Sequence, residues 1–247
     1  MPNHITIAQK ILFTCGILSV GCFILAVSSH RATSKASTQS NTPQIVNKTL
    51  GFLPEGLTQK DGDYILLLKN TYSKTINGYT LGIGPGGKVA VDLTIGSQAI
   101  APGSIAEERI PISNLQASSK GDTPQIITIL AVLFEDGMSD GLPQVIAETR
   151  DRRLGTKIQI KRILSLIHIS LTSLDSNKQI ALNKLKTQIT SLSEEPESGK
   201  SPNVKRGLRS AKEDTLTRLQ NLERSDGALY EELIRLKESI EKRMSRL

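Results

Sequence analysis

The pattern of apolar and polar positions divides the chain into segments of different texture. Residues 11 to 27 (ILFTCGILSVGCFILAV) are uncharged and apolar on every side. As a helix they rise roughly 26 Å, and a little flanking sequence matches the roughly 30 Å of a bilayer's hydrocarbon core. A helix satisfies its own backbone in lipid, so lipid is the natural solvent for such a run. The pattern therefore predicts a transmembrane signal anchor or a signal peptide over residues 1–28. Ala26 and Ser28 stand where a signal-peptide cut before Ser29 would want small residues. Against cleavage, the apolar run exceeds the usual length and Lys10 is the one basic side chain ahead of it. Leu18-Ser19-Val20-Gly21-Cys22 approximates a lipoprotein box, with Ser19 in place of Leu. Arg31 and Lys35 follow the run, so the positive-inside count opposes export, whereas the signal-like run and the polar linker behind it favour an extracytoplasmic location. The expectation is a single-pass membrane protein with the bulk of the chain outside the cytoplasm.

Residues 29–49 are rich in Ser, Thr, Asn and Gln and read as a flexible linker. From 50 to 141 short apolar runs alternate with Gly, Pro, Asn and Ser. Tyr64–Lys69, Thr75–Ile83, Val89–Ile95 and Ser104–Ile112 read as strands. Residues 126–134 (IITILAVLF) read as a central strand covered on both faces. This spacing predicts an antiparallel β-sandwich rather than an alternating α/β fold. Between the first two strands two turns compete. Asn77-Gly78 carries a hairpin signal, but a turn at Thr71–Lys74 keeps both strands at a useful length and makes Gly78 a bulge or a point of close packing.

From 142 to 247 the period changes to that of helices, with a loop near 194–203. Pro143 suits a first helical turn, and Asp140 is the candidate cap before it. Ile160, Ile163, Ile167, Leu171 and Leu174 form an apolar stripe, and Arg150, Arg153, Lys157 and Lys161 a basic one. Gly155 weakens the helix, and Lys157–Lys161 would also serve as a short strand. Leu182, Leu185, Ile189 and Leu192 give a second helix. Leu219, Leu222, Leu229, Leu233, Leu236, Ile240 and Leu247 lie on a heptad seam broken near Asp226-Gly227. Such seams close as an intramolecular bundle or as a coiled coil with another chain. The fold class expected is α+β in several parts: N-terminal transmembrane helix, antiparallel sandwich, and a helical, partly coiled-coil region.

Leu68-Lys69-Asn70-Thr71-Tyr72-Ser73-Lys74-Thr75-Ile76, followed by Tyr79-Thr80-Leu81, resembles the strand–turn–strand of bacterial immunoglobulin-like (FxLYD-type) envelope modules. The resemblance implies a non-catalytic β-sandwich at the cell envelope and supplies no site residues.

Composition narrows the chemistry further. Eight residues are Phe or Tyr and none is Trp, which argues against aromatic stacking platforms for bases or sugars. Cys15 and Cys22 both lie in the apolar run, so the chain beyond it has no thiol. Lys and Arg exceed Asp and Glu by 31 to 24, and the whole excess lies from residue 143 onward, interleaved with acids. Gly82–Lys88 satisfies G-x-x-x-x-G-K, but Val89 stands where magnesium needs Ser or Thr, and a strand follows where phosphate needs a helix N-terminus. Asp136 and Asp140 fit a calcium loop only loosely. Glu107 and Glu108 on a strand point to opposite faces. His168 has no Cys or second His to work with. No catalytic residue, metal ligand or cofactor site is expected. The function read from these features is a membrane-anchored envelope protein with a structural or adaptor role. It would bind a protein partner or self-associate through the C-terminal helices. The alternative is a module that binds anionic lipid or nucleic acid through Arg150, Arg153, Lys157 and Lys161 on the basic helix 150–162; of these nucleic acid is disfavoured.

Overall fold

The longest apolar run after residue 30 takes an interior place in the larger sheet. Ile126–Phe134 (β7) pairs with three other strands, and its residues from Ala131 to Phe134 are all buried. The computed structural model describes residues 42–84, 86–94, 99–116, 125–172, 177–196, 201–225 and 227–247. The apolar run at 11–27 and most of the linker lie outside these residues. Among the described residues no helix is long and apolar enough to cross a membrane. Every element that follows lies in one compact unit, Asn41–Leu247.

Strands β1 (Gln44–Asn47), β4 (Ile76–Ile83), β5 (Gly87–Asp92), β7 and β8 (Ser139–Gly141) form one sheet in the order β1-β7-β4-β5, with β8 also on β7. Strands β2 (Phe52–Lys60), β3 (Asp63–Asn70) and β6 (Ile105–Pro111) form the other, in the order β2-β3-β6. All pairings are antiparallel except β1 with β7, which is parallel. One hydrophobic cluster joins the two sheets: Phe52, Leu66, Leu68 and Ile110 meet Ile76, Leu81, Ile127 and Ile129. The Phe52 and Tyr79 rings lie 5.2 Å apart across it.

The expected strands at Tyr64, Thr75, Val89, Ser104 and Ile126 are present within a few residues. Three others were not foreseen, among them the three-residue β8, which falls in a segment read as a turn. β1 falls inside the segment read as linker, because four residues are too few to display a period. β2 carries Pro54 and Gly56, and its register with β3 shifts between them. Proline lacks an N–H for the ladder and is tolerated there because β2 is an edge strand.

The turn at Thr71–Lys74 joins strands of different sheets rather than a hairpin. Asn70 holds this crossing. Its side-chain Nδ2 donates to Lys74 O and Ile100 O, both at 2.8 Å, and its Oδ1 accepts from Tyr72 N at 3.0 Å. Gly78 is a point of close packing and adjoins a bulge at Asn77, which the β4–β7 ladder skips. The β4–β7 register shifts between Ile76 and Gly78, and a Cβ on Gly78 would lie 2.5 Å from Arg153 Nη2.

A five-residue helix, α1 (Ile112–Gln116), follows β6. Helix α2 (Pro143–Thr172) runs thirty residues, roughly 45 Å, and includes the stretch at 157–161. Asp140 does not cap it. Instead Asp140 lies in β8 and accepts hydrogen bonds from Leu50 N at 2.6 Å and from the Tyr72 hydroxyl. Helices α3 (Lys178–Ser191), α4 (Pro202–Glu223) and α5 (Leu229–Arg246) pack with the second half of α2. Asn177 caps α3, accepting from Gln179 N and Ile180 N. Leu219, Leu229, Leu233, Leu236 and Ile240 of the heptad seam are buried in this intramolecular cluster, and Leu222 and Leu247 pack against it.

Gly155 weakens the helical pattern for a steric reason. Helices α2 and α4 cross with their backbones touching at Gly155 and Gly207. A Cβ on Gly155 would collide with Val204 O and lie 3.0 Å from Leu208 N. A Cβ on Gly207 would collide with Arg152 O and lie 2.7 Å from Thr156 N. Only glycine permits that approach.

Candidate functional site

The first half of α2 lies on the β7–β8 side of the larger sheet, and one buried side chain fixes it there. Val145, Thr149, Arg153, Thr156 and Ile160 recur at helical spacing and are all buried. Arg153 is therefore on the inward face. Its Nη1 donates to Asn77 Oδ1 at 2.9 Å, and its Nη2 donates to Asn77 O at 2.8 Å and Asp92 Oδ1 at 3.2 Å. Burial lowers the affinity of Arg153 for its proton, and Asp92 partly restores it. Asn77 Nδ2 donates in turn to Arg246 O at 3.3 Å, so the same corner ties α5 to the sheet. Nearby Arg243 is buried and donates to Asp214 at 3.1 Å, with Asp92 adding a favourable field.

With Arg153 turned in, the outward side of α2 and the β7–β8 turn enclose a groove of about 320 Å³. The turn is closed by Gly137 at φ 81° and by Met138 N donating to Asp136 Oδ1 at 3.0 Å. Lys74 Nζ donates to Asp136 Oδ2 at 2.6 Å and stands 6.0 Å from the Phe134 ring centre. The Lys74 hydrogen bond holds the Asp136 carboxyl below its ordinary range. On the other side, Phe134 packs edge-on against Tyr72, whose hydroxyl is pushed up by burial and then by Asp140. Arg150 clips the turn to the helix, donating to Gly137 O at 3.0 Å and Ser139 Oγ at 3.1 Å. Phe134, Met138, Leu154 and Leu247 supply the apolar lining, and Arg150 and Lys157 the positive rim. Met138 is 56 % exposed and Leu154 43 %, so the lining is open to solvent.

Of the four residues of the basic stripe, Arg150, Arg153 and Lys157 line this groove, and of these Arg150 and Lys157 are exposed. Lys161 is exposed one turn further on and does not line it. Arg153 is buried and engaged with Asn77 and Asp92, so it is not available to a surface polyanion. The signal for this was in the sequence: Arg153 interrupts the stripe running Val145, Thr149, Thr156, Ile160, Ile163. Asn77, Asp92, Met138 and Leu154 were missed, since no local pattern brings them to α2.

The remaining candidates take simpler places. Gly82–Lys88 forms the β4–β5 hairpin, with Gly84 and Gly86 at φ 58° and 92° and a strand after Lys88. Lys88 pairs with Glu148 at 2.9 Å. Glu107 and Glu108 face opposite ways; Glu108 accepts from the Tyr79 hydroxyl at 2.6 Å, and Glu107 is exposed. His168 is exposed on α2. Among the described residues no group of three or more His, Cys, Asp or Glu could hold a metal ion. No protein-family model matches this chain, nor does any curated protein or solved structure.

An open apolar lining beside two cations suits a segment that carries apolar side chains and carboxylates together. Apolar burial supplies the affinity, and the cations supply register and the choice of partner.

Proposed function

We propose that the protein is a membrane-anchored adaptor of the cell envelope, and that the groove between the β7–β8 turn and α2 holds an acidic, apolar segment of a protein partner. The observation that carries this reading is the exposure of Met138 and Leu154 beside Arg150 and Lys157. Anchorage rests on the uncharged run at 11–27, with the bulk of the chain extracytoplasmic. An immunoglobulin-like sandwich is supported by connectivity: with β2, β3 and β6 as strands A, B and E, and β4, β5 and β7 as C, C′ and F, strand neighbours agree with that fold. β1 departs from it, lying parallel to β7.

The test is fluorescence anisotropy with the full chain in detergent micelles and a labelled peptide of alternating Glu and Leu. Binding is expected, weakened at least roughly tenfold when Arg150 and Lys157 become Gln and again when Leu154 becomes Gln. Equal binding of a Lys-Leu peptide, or no effect of these substitutions, contradicts the reading.

A second reading keeps Arg150, Lys157 and Lys161 as an exposed cationic row for anionic lipid. It requires affinity for anionic vesicles that falls steeply with salt and is indifferent to Leu154→Gln. The adaptor reading requires shallow salt dependence and sensitivity at Leu154.

A further inference from the structure

The outermost strands of the two sheets differ in how they are protected. Unpaired backbone groups at a sheet edge invite another strand, and proteins blunt them with proline, bulges, charge or brevity. β1 has four residues. β2 carries Pro54 and a register shift. β6 holds three successive charges, Glu107, Glu108 and Arg109, and ends on Pro111. β5, with the sequence Gly-Lys-Val-Ala-Val-Asp, has no proline and an unbroken register with β4. Among the described residues nothing pairs with its other edge.

The hydrogen-bond phase of that edge follows from the ladder. Leu93 N donates to Asn77 O at 3.1 Å, in line with the register that sets Val91 against Tyr79 and Val89 against Leu81. The odd-numbered residues of β5 therefore turn their N–H and C=O toward β4. Lys88, Ala90 and Asp92 turn theirs outward.

The order of side chains along the strand is self-complementary. Reversing Lys88-Val89-Ala90-Val91-Asp92 about Ala90 sets a cation against an anion at each end, and Val89 against Val91 between them. We propose that the outer edge of β5 pairs antiparallel with the same edge of a second copy of this chain, Ala90 against Ala90 and Lys88 against Asp92 of the second copy.

Two independent features fit this register. Pairs of residues that exchange both backbone bonds must come from the outward-facing set, and Ala90 with Ala90 and Lys88 with Asp92 are all in that set. On the side facing the smaller sheet, a groove of about 560 Å³ runs beside the strand; Val91, Leu93, Ala99 and Ile105 line it together with Glu107 and Glu108. Ile105 is 55 % exposed there. The valines of an added strand would lie on that side and cover it. On the opposite side, Lys88 and Asp92 already meet Glu148 and Arg153. Each would gain a cross-strand partner of opposite sign without losing the one it has.

Sedimentation equilibrium of the full chain in density-matched detergent micelles tests the proposal, with far-UV circular dichroism reporting the fold. The wild-type chain is expected to reach the mass of two chains as its concentration rises. Ala90→Pro removes an outward N–H that makes no bond to β4, and is expected to leave the circular dichroism unchanged while abolishing the dimer. Lys88→Glu is an exposed change that sets like charges across both ends of the pair, and is expected to weaken the dimer roughly tenfold. If Ala90→Pro disturbs the fold, Lys88→Glu alone decides. A wild-type chain that stays single at every concentration overturns the proposal. So does a dimer that Lys88→Glu leaves intact, whatever Ala90→Pro does, because association then uses another surface or another register.

Discussion

Replacing Gly155 or Gly207 with alanine offers a sharp test of how helices α2 and α4 meet, because two effects of opposite sign compete. In an exposed helix interior the change would stabilise by about 1 kcal/mol through helix propensity. At this crossing the new methyl group on Gly155 would overlap Val204 O, and that on Gly207 would overlap Arg152 O and lie 2.7 Å from Thr156 N. Both obstacles are backbone, which cannot rotate away as a side chain tip can. The helices must therefore part by about 1 Å, a gap that forfeits a quarter to a half of each van der Waals contact it opens. Val204, Leu208 and Ala211 sit buried along this contact and share the loss. Overpacking of this kind costs about 1–3 kcal/mol. The upper end applies where backbone meets backbone, so the net loss expected is about 2 kcal/mol. For a chain of this size that lowers the melting temperature by roughly 4–8 °C. Urea denaturation followed by circular dichroism measures it, with Ser165→Ala on the exposed face of α2 as control, expected within about 0.5 kcal/mol of wild type. The double variant should lose less than the sum of the singles, because the separation that relieves one clash relieves the other. A neutral or stabilising Gly155→Ala would refute the close crossing.

Other consequences follow from the Arg153 corner and from the surface ion pairs. Arg153→Met leaves Asn77 Oδ1, Asn77 O and Asp92 without their charged donor, and should cost about 3 kcal/mol in the same denaturation assay. Gly78→Ala places a Cβ 2.5 Å from the Arg153 guanidinium; it should destabilise by about 1–2 kcal/mol, and less in the Arg153→Met background, where the obstacle is removed. Hydrogen bonds hold several glutamates below their ordinary value of 4.5: Glu148 through Lys88, Glu194 through Arg209 and Lys212, and Glu232 through Ser225 and then Lys178. A depressed folded-state pKa gives stability that is complete above the unfolded value and lost as pH falls through the folded one. The urea midpoint should therefore hold steady from neutral pH down to about 5 and decline below about 4.5.

What the sequence made legible was whatever a local period could carry. The run Ile126–Phe134 announced a strand covered on both faces, as it is from Ala131 to Phe134, whereas the alternation of Tyr79, Leu81 and Ile83 announced the strand but not that all of β4 is buried. Ile160, Ile163 and Ile167 marked the helical core, and Asp226-Gly227 marked the break between α4 and α5. β1 and β2 were hidden for different reasons, one by brevity and the other by a proline that edge position excuses. Gly155 looked like a weakness in a helix because propensity is local, whereas the reason for it stands on another helix, at Gly207. The groove was half legible. Arg150 and Lys157 could be placed on α2 by counting, but the same counting grouped Arg153 with them. Spacing shows which residues share a side of a helix; it does not show how wide the buried side is. Met138 and Leu154 come together only when the β7–β8 turn folds onto α2, over a separation no motif spans. Asp140 reversed its expected role for a similar reason, taken up by Leu50 N and the Tyr72 hydroxyl rather than by the helix it precedes.

The most direct test of the adaptor account is a residue-resolved NMR titration of the full chain in detergent micelles with the Glu-Leu peptide. The account predicts saturable shifts centred on Met138, Arg150, Leu154 and Lys157, with Lys161 and His168 unmoved. Shifts spread along the exposed lysines and arginines of α2, or none at Met138 and Leu154, would contradict it.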